Sequence, residues 1–323
     1  MGHPSRQHYG LALSLSVAVA LMPAGPLRAK ETVALTFDWP SGLHGKVTFS
    51  ARTMRTVNGR SEDLNMTGRY DLVTSAAPDG LLIQFENVET EVENAGSGPH
   101  AMVMAYMAKA TSMPPSYVVS PDGQFVRIEG LETFRNRILE GIDDAFAEFP
   151  AAAREQVIQT LSAVVTEEQL EFSLASDWNS YVGTWTGAEL DEGDLYELTF
   201  NQPIPAFGNM EVPMRSTFLF KQRVSCNDAE SAKRCVELEM RTFVDPEGLT
   251  AAVQAFLARL PAGHEGPRIQ DLQQETVVRL ISEPNTLLPY LMQSWRRTVT
   301  TVAVGDESQA ASRIEEQRFV YTY

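Results

Sequence analysis

The sequence predicts an α+β protein: an extended, curved antiparallel β-sheet with a central group of helices and one further helix packed on it. Three observations carry this. Apolar and polar residues alternate at period two over long stretches on both sides of the chain's middle. The period lengthens to three and four between residues 131 and 174, and again after Asp245 for a single helix. Strands and helices thus come in separate runs, which argues against an alternating βαβ arrangement. Paired strands followed by a helix occur around both Leu131 and Leu249, so the single domain 30–323 reads as two pseudo-repeated halves, 30–180 and 181–323.

The first 29 residues stand apart. Arg6 precedes an uncharged run from Gly10 to Met22, followed by prolines and small residues with cleavage points after Ala24 or Ala29. As a helix the run rises about 20 Å, short of the ~30 Å hydrocarbon core, so it fits a cleavable export signal and not a membrane span. Removing residues 1–29 leaves 42 acidic against 24 basic residues and no apolar run of membrane length. The mature chain is therefore expected to be exported, to the periplasm or beyond, and soluble. Its acidity excludes nucleic acid, which needs a basic footprint, and disfavours anionic headgroups.

In the first half, Val47, Phe49 and Ala51 alternate with Thr48, Ser50 and Arg52. Leu64, Met66, Tyr70 and Leu72 share a face opposite Asn65, Thr67, Arg69 and Asp71. A third strand runs from Leu81 to Val92, and its phase slips near Asn87 and Val88, the mark of a bulge. Tyr117 to Ser120 and Gln124 to Glu129 flank Pro121, Asp122 and Gly123, a hairpin turn in which glycine accepts positive φ.

Leu131, Phe134, Ile138, Ile142, Phe146 and Phe149 then recur at helical steps until Pro150 stops them. Val157, Ile158, Leu161, Val164 and Val165 form the stripe of a second helix. A short third helix, Glu167 to Leu174, has Thr166 as its cap and Gln169 in the capping-box position. Trp178, Tyr181 and Trp185 lead back into sheet.

In the second half, Met214 to Val224 and Val236 to Val244 alternate as two strands of one hairpin, with Lys221 and Arg223 facing Glu237 and Glu239. Cys226 and Cys235, the two cysteines of the chain, lie across its turn. In an exported chain this spacing reads as a structural disulfide, since a redox pair favours CxxC and a metal site needs more ligands. A helix capped near Asp245, with Pro246 first, carries Leu249, Val253, Phe256, Leu257 and Leu260. Three strands close the chain: Glu275 to Ile281, Ser294 to Val304 and Ser312 to Tyr323, the last two separated near Gly305 and Asp306.

Catalytic motifs are missing: there is no HExxH, G-x-S-x-G, Ser-x-x-Lys, Walker loop or dinucleotide-binding glycine pattern. His44, His100 and His264 each stand alone in turn-like settings. No catalytic residue, cofactor or metal is assigned. His100, Met102, Met104, Met107 and Met113 crowd the segment 96–116, where thioethers suit Cu(I) but their spacing suits apolar packing or a lid better. Glu189, Asp191, Glu192 and Asp194 surround Gly193 without the EF-hand pattern, and read as a solvated turn.

The stretch YVVSPDGQFVRIEGL, Tyr117 to Leu131, resembles a recurrent feature of uncharacterised exported bacterial β-rich proteins. In these a strand, a P-D-G turn, a strand ending in Glu-Gly and a helix belong to a long antiparallel sheet. The ending SEPNTLLPY, before a strand near Trp295, is similar to the same group. The resemblance implies that fold and no activity. At the level of fold it extends to periplasmic lipoprotein carriers. The expected function is accordingly non-enzymatic binding of an apolar or lipid-like molecule on the curved sheet, lined by Met102, Met104, Met107, Phe134, Ile138 and Trp185. Two alternatives stand beside it. One is an envelope factor that meets a partner protein through an edge strand or acidic face; the other is a hydrolase with a dispersed site.

Overall fold

The computed structural model describes residues 30–93, 114–147, 165–204, 210–227, 232, 234–257, 268–304 and 307–323, with scattered positions between 150 and 162. The expected export signal, His100, the methionine-rich segment, most of the Val157–Val165 stripe, Leu260, His264 and the expected turn at Gly305 and Asp306 lie outside the described residues.

The period-two runs are strands, most of them longer than the alternation suggests, though the two flanking the P-D-G turn are shorter. They comprise β1 (Thr32–Ala34), β2 (His44–Val57), β3 (Arg60–Ala77), β4 (Gly80–Glu93), β5 (Tyr117–Val119), β6 (Phe125–Ile128), β7 (Glu189–Asp191), β8 (Leu195–Ile204), β9 (Met210–Val224), β10 (Cys235–Val244), β11 (Arg268–Ser282), β12 (Pro289–Val304) and β13 (Glu307–Thr322). Eleven form one antiparallel sheet in the order β6-β5-β4-β3-β2-β13-β12-β11-β10-β9-β8, while β1 pairs with β7. The last strand, β13, lies between β2 and β12 and so joins the early strands to the late ones.

The fold is mostly antiparallel β, 59% strand and 20% helix, which overturns the expected α+β layout with a central group of helices. The physical reason is twofold. Main-chain ladders continue through residues that are polar on both faces, so strands outrun their alternating cores: β11 starts at Arg268 and β12 at Pro289, well before Glu275 and Ser294. The helices also pack locally. On α1 (Leu131–Ala145), Phe134, Ile138 and Ile142 bury against Leu139, Val165 and Leu170, apart from the main core. Thr166 caps α2 (Glu167–Trp178) by accepting from the Gln169 N–H at 3.1 Å. This helix runs on through Trp178 into a π-helical turn, Asn179–Gly183, where a return to strand was expected. Asp245 caps α3 (Pro246–Leu257) by accepting from the Gly248 N–H, and Leu249 and Val253 pack on Val212 and Val244.

Register sorts the side chains into two faces. One rung of the inner face runs Gly68, Phe49, Phe319, Met292, Leu280, Leu238 and Phe220 across β3 to β9. Most of it is buried in the main core. The next rung is Met66, Ala51, Gln317, Ser294, Val278, Met240 and Phe218, and the next Leu64, Thr53, Glu315, Arg296, Thr276, Thr242 and Ser216. The inner face thus passes from apolar to polar within three rungs, a distance of about 13 Å at ~3.3 Å per residue. The expected bulge on β4 is present: Arg69 pairs with Glu89 and Asp71 with Glu86, with Asn87 at φ 52°. Cys226 and Cys235 form the disulfide, their Cα atoms 5.0 Å apart. Among the described residues no helix is long and apolar enough to cross a membrane.

Candidate functional site

The apolar end of the inner face is closed by aromatic rings. Trp178, fully buried, stands 5.5 Å from the rings of Tyr117, Trp39 and Tyr181, and its indole N–H donates to the Gly123 carbonyl at 2.8 Å. The hydroxyls of Tyr117 and Tyr181 share a hydrogen bond of 3.2 Å, and Tyr70 bonds Tyr321. Burial holds the Tyr70, Tyr117 and Tyr181 hydroxyls protonated well above the ordinary tyrosine range. Paired hydroxyls let four tyrosines enter a core without stranding a polar group. The π turn that carries Tyr181 touches β11. Such turns are rare and recur at functional sites.

Two rungs away the inner face is open and charged. Arg313 Nη2 lies 2.7 Å from Glu315 Oε1, and Arg296 Nη1 lies 3.8 Å from Glu315 Oε2. From the end of α2, Asp177 faces the same group. Its side chain reaches water but is set deep among protein atoms; this recess pushes its carboxyl up to about 6, with Arg296 opposing the shift and Glu315 adding to it. Beside the charges, Leu64, Met66, Val88 and Val92 are half-buried. This stretch of the inner face therefore sets an apolar flank beside a charged centre.

The structure separates the residues expected to line a ligand site. Trp185 is buried in the main core, its ring 5.6 Å from Phe218 and its indole N–H on the Ser180 carbonyl. Phe134 and Ile138 lie in the α1–α2 cluster. Met102, Met104 and Met107 lie outside the described residues. The acidic turn is a strand junction: the Glu192 N–H bonds the Glu31 carbonyl, and among the described residues no group of three metal-ligating side chains forms. Sequence reasoning missed Asp177, Arg296 and Glu315, which are far apart in the chain. A weak signal existed, since Arg296 is the one charge on the inner face of β12.

The outer face carries a shallow groove of about 630 Å³ across β3, β2, β13, β12 and β11. Arg52, Arg279, Trp295, Glu316 and Arg318 border it, but Arg52 is already tied to Asp63 and Arg279 to Glu237. Glu237 is nearly inaccessible on this face. Burial alone would raise its pKa, but hydrogen bonds from Arg279, Gln222 and Lys221 overcome that and bring it down to about 2. This side reads as a cross-strand polar lattice that holds the sheet.

No protein-family model and no curated protein matches the chain. A solved outer membrane channel from Pseudomonas putida F1 aligns over 89% of this chain and 98% of its own, at 7% identity and a TM-score of 0.15. A likeness that slight carries no argument.

Proposed function

We propose that this is an exported, non-catalytic protein that holds a lipid-like amphiphile in the open part of the inner face. The observation that carries the reading is the polarity step. Within a few residues along β3, β13 and β12 the inner surface changes from aromatic core to a half-buried strip, Leu64 and Met66, lying beside the charges of Arg296 and Glu315, with Asp177 near them. An amphiphile matches both parts, since its chain removes apolar surface from water while its head meets Arg296. Export is supported by the apolar run Gly10–Met22 and by the Cys226–Cys235 bond, which persists in oxidising compartments. Against a hydrolase, no described serine, cysteine or histidine is hydrogen-bonded to the carboxylates of Asp177 or Glu315, so the parts of an activated nucleophile are not assembled.

The test is extraction of the purified chain with organic solvent and mass spectrometry of the extract, together with titration by a fluorescent fatty acid. A stoichiometric amphiphile, or probe binding that Met66→Glu and Arg296→Glu both weaken, supports the reading. A chain that carries no lipid and ignores the probe overturns it.

A further inference from the structure

The two edges of the main sheet are managed differently. β6 is four residues long and meets α2, whereas β8 is ten residues long and, among the described residues, ends the sheet with no strand beyond it. Among the described residues, five large hydrophobics are exposed, and three of them belong to β8: Leu198 at 53% and Tyr196 at 36% on the inner face, and Leu195 at 65% on the outer. An open edge offers a row of unpaired backbone N–H and C=O groups, and natural edges are normally blunted by lysine, by charges or by brevity. β8 has no lysine and one ionisable acid, Glu197, which faces Arg215 of β9 at 3.9 Å; Pro203 blunts only its far end.

We infer that β8 is a self-association strand, pairing antiparallel with β8 of a second copy of this chain. The choice of a second copy rests on charge and register. In a chain with net charge −16 this edge is locally neutral, so two copies meet without apposing uncompensated acids. A two-fold axis perpendicular to the sheet keeps the inner faces on one side, so only residues of like parity face each other. With the axis at Thr199, Leu198 lies opposite Phe200 of the partner subunit, both on the inner face, and Glu197 lies opposite Asn201 of the partner subunit. Strand addition satisfies the free backbone groups and covers Leu198, the chemistry by which sheets recruit an extended partner.

The test is sedimentation equilibrium of the full chain, with Leu198→Lys and Leu195→Lys as variants. A reversible dimer is expected, and each lysine raises its dissociation constant at least ~tenfold, as charges do when they replace buried interface apolar groups. Thr199→Cys provides a second measurement that needs no disruption of the edge: a short bis-maleimide links it into dimers, whereas Thr48→Cys on the outer face of β2 stays monomeric. A chain that is monomeric up to its solubility limit overturns the inference. So does a dimer unaffected by both lysines, or one that links no better at residue 199 than at 48.

Discussion

The inner face of this sheet is one surface with two fates. At the rung of Phe49, Phe319, Met292, Leu280 and Leu238 it is sealed by Trp178 and the tyrosine cluster. Two rungs on, at Thr53, Glu315, Arg296 and Thr276, the same strands present charge to water. Backbone pairing is equally regular in both places. What differs is whether another element arrives to bury the side chains, and only one end of each long strand is needed to build the core. The other end is not needed for it.

The comparison breaks most severely at Trp178. Trp178→Ala removes a fully buried ring together with its hydrogen bond to Gly123, and is expected to cost about 3–5 kcal/mol, lowering Tm by roughly 6–10 °C in thermal unfolding. A rise or no change would mean that the sealed end is not the stabilising one.

The outer face of the sealed end comes next. Glu237→Ala removes the buried carboxylate that accepts from Arg279, Lys221 and Gln222, leaving Arg279 on Gln293 and Lys221 on Glu239, and is expected to cost about 3 kcal/mol in denaturant titration. Because its folded pKa is depressed to about 2, the stability Glu237 supplies is complete above the ordinary carboxylate range and is lost as pH falls through about 2. The variant's deficit should therefore shrink in acid and be largest near neutrality.

Removing the cross-link with Cys226→Ser and Cys235→Ser should cost about 2–3 kcal/mol through the freed unfolded chain, while lipid or probe binding is unchanged. Loss of binding in that variant would tie the turn to the open end of the inner face and erase the contrast.

The smallest effect on stability belongs to the open end, and its sign is reversed. Asp177 has a raised folded pKa, about 6, so its ionisation opposes folding above that value and the opposition fades as pH falls through 6 toward 4. Asp177→Asn is expected to raise Tm slightly at pH 7.5, by ~1–2 °C after allowance for solvent screening, with the gap closing near pH 4. The same substitution should alter amphiphile affinity. Unchanged affinity combined with a lower Tm would place Asp177 on the structural side of the comparison.

Much of the architecture is readable in particular residues. Asn87 and Val88 show the bulge because a one-residue slip moves every later side chain to the other face. Thr166 and Gln169 show the start of α2, because capping is local hydrogen bonding. Its end is not readable: Trp178, Tyr181 and Trp185 look like strand aromatics, but tertiary packing holds the first two on helical and π-turn backbone. β8 escapes the alternation test because Leu195, Tyr196 and Leu198 lie at an edge, where burial does not enforce a period. Phe134 and Ile138 were expected at a ligand site on their apolarity alone, and apolarity does not tell a helix pair from a sheet lining.

Taken by itself, the amino-acid order determined the strands' pleat and facing, the caps, the turns and the cysteine pairing. All of these are set by interactions between near neighbours or by the alternation of a pleated backbone. Only the tertiary structure decided that β13 enters between β2 and β12, that Asp177 comes within the field of Arg296 and Glu315, and that one edge closes on a helix while the other has no further strand among the described residues. These depend on contacts between residues distant in the chain, whose closure entropy and packing no local pattern records.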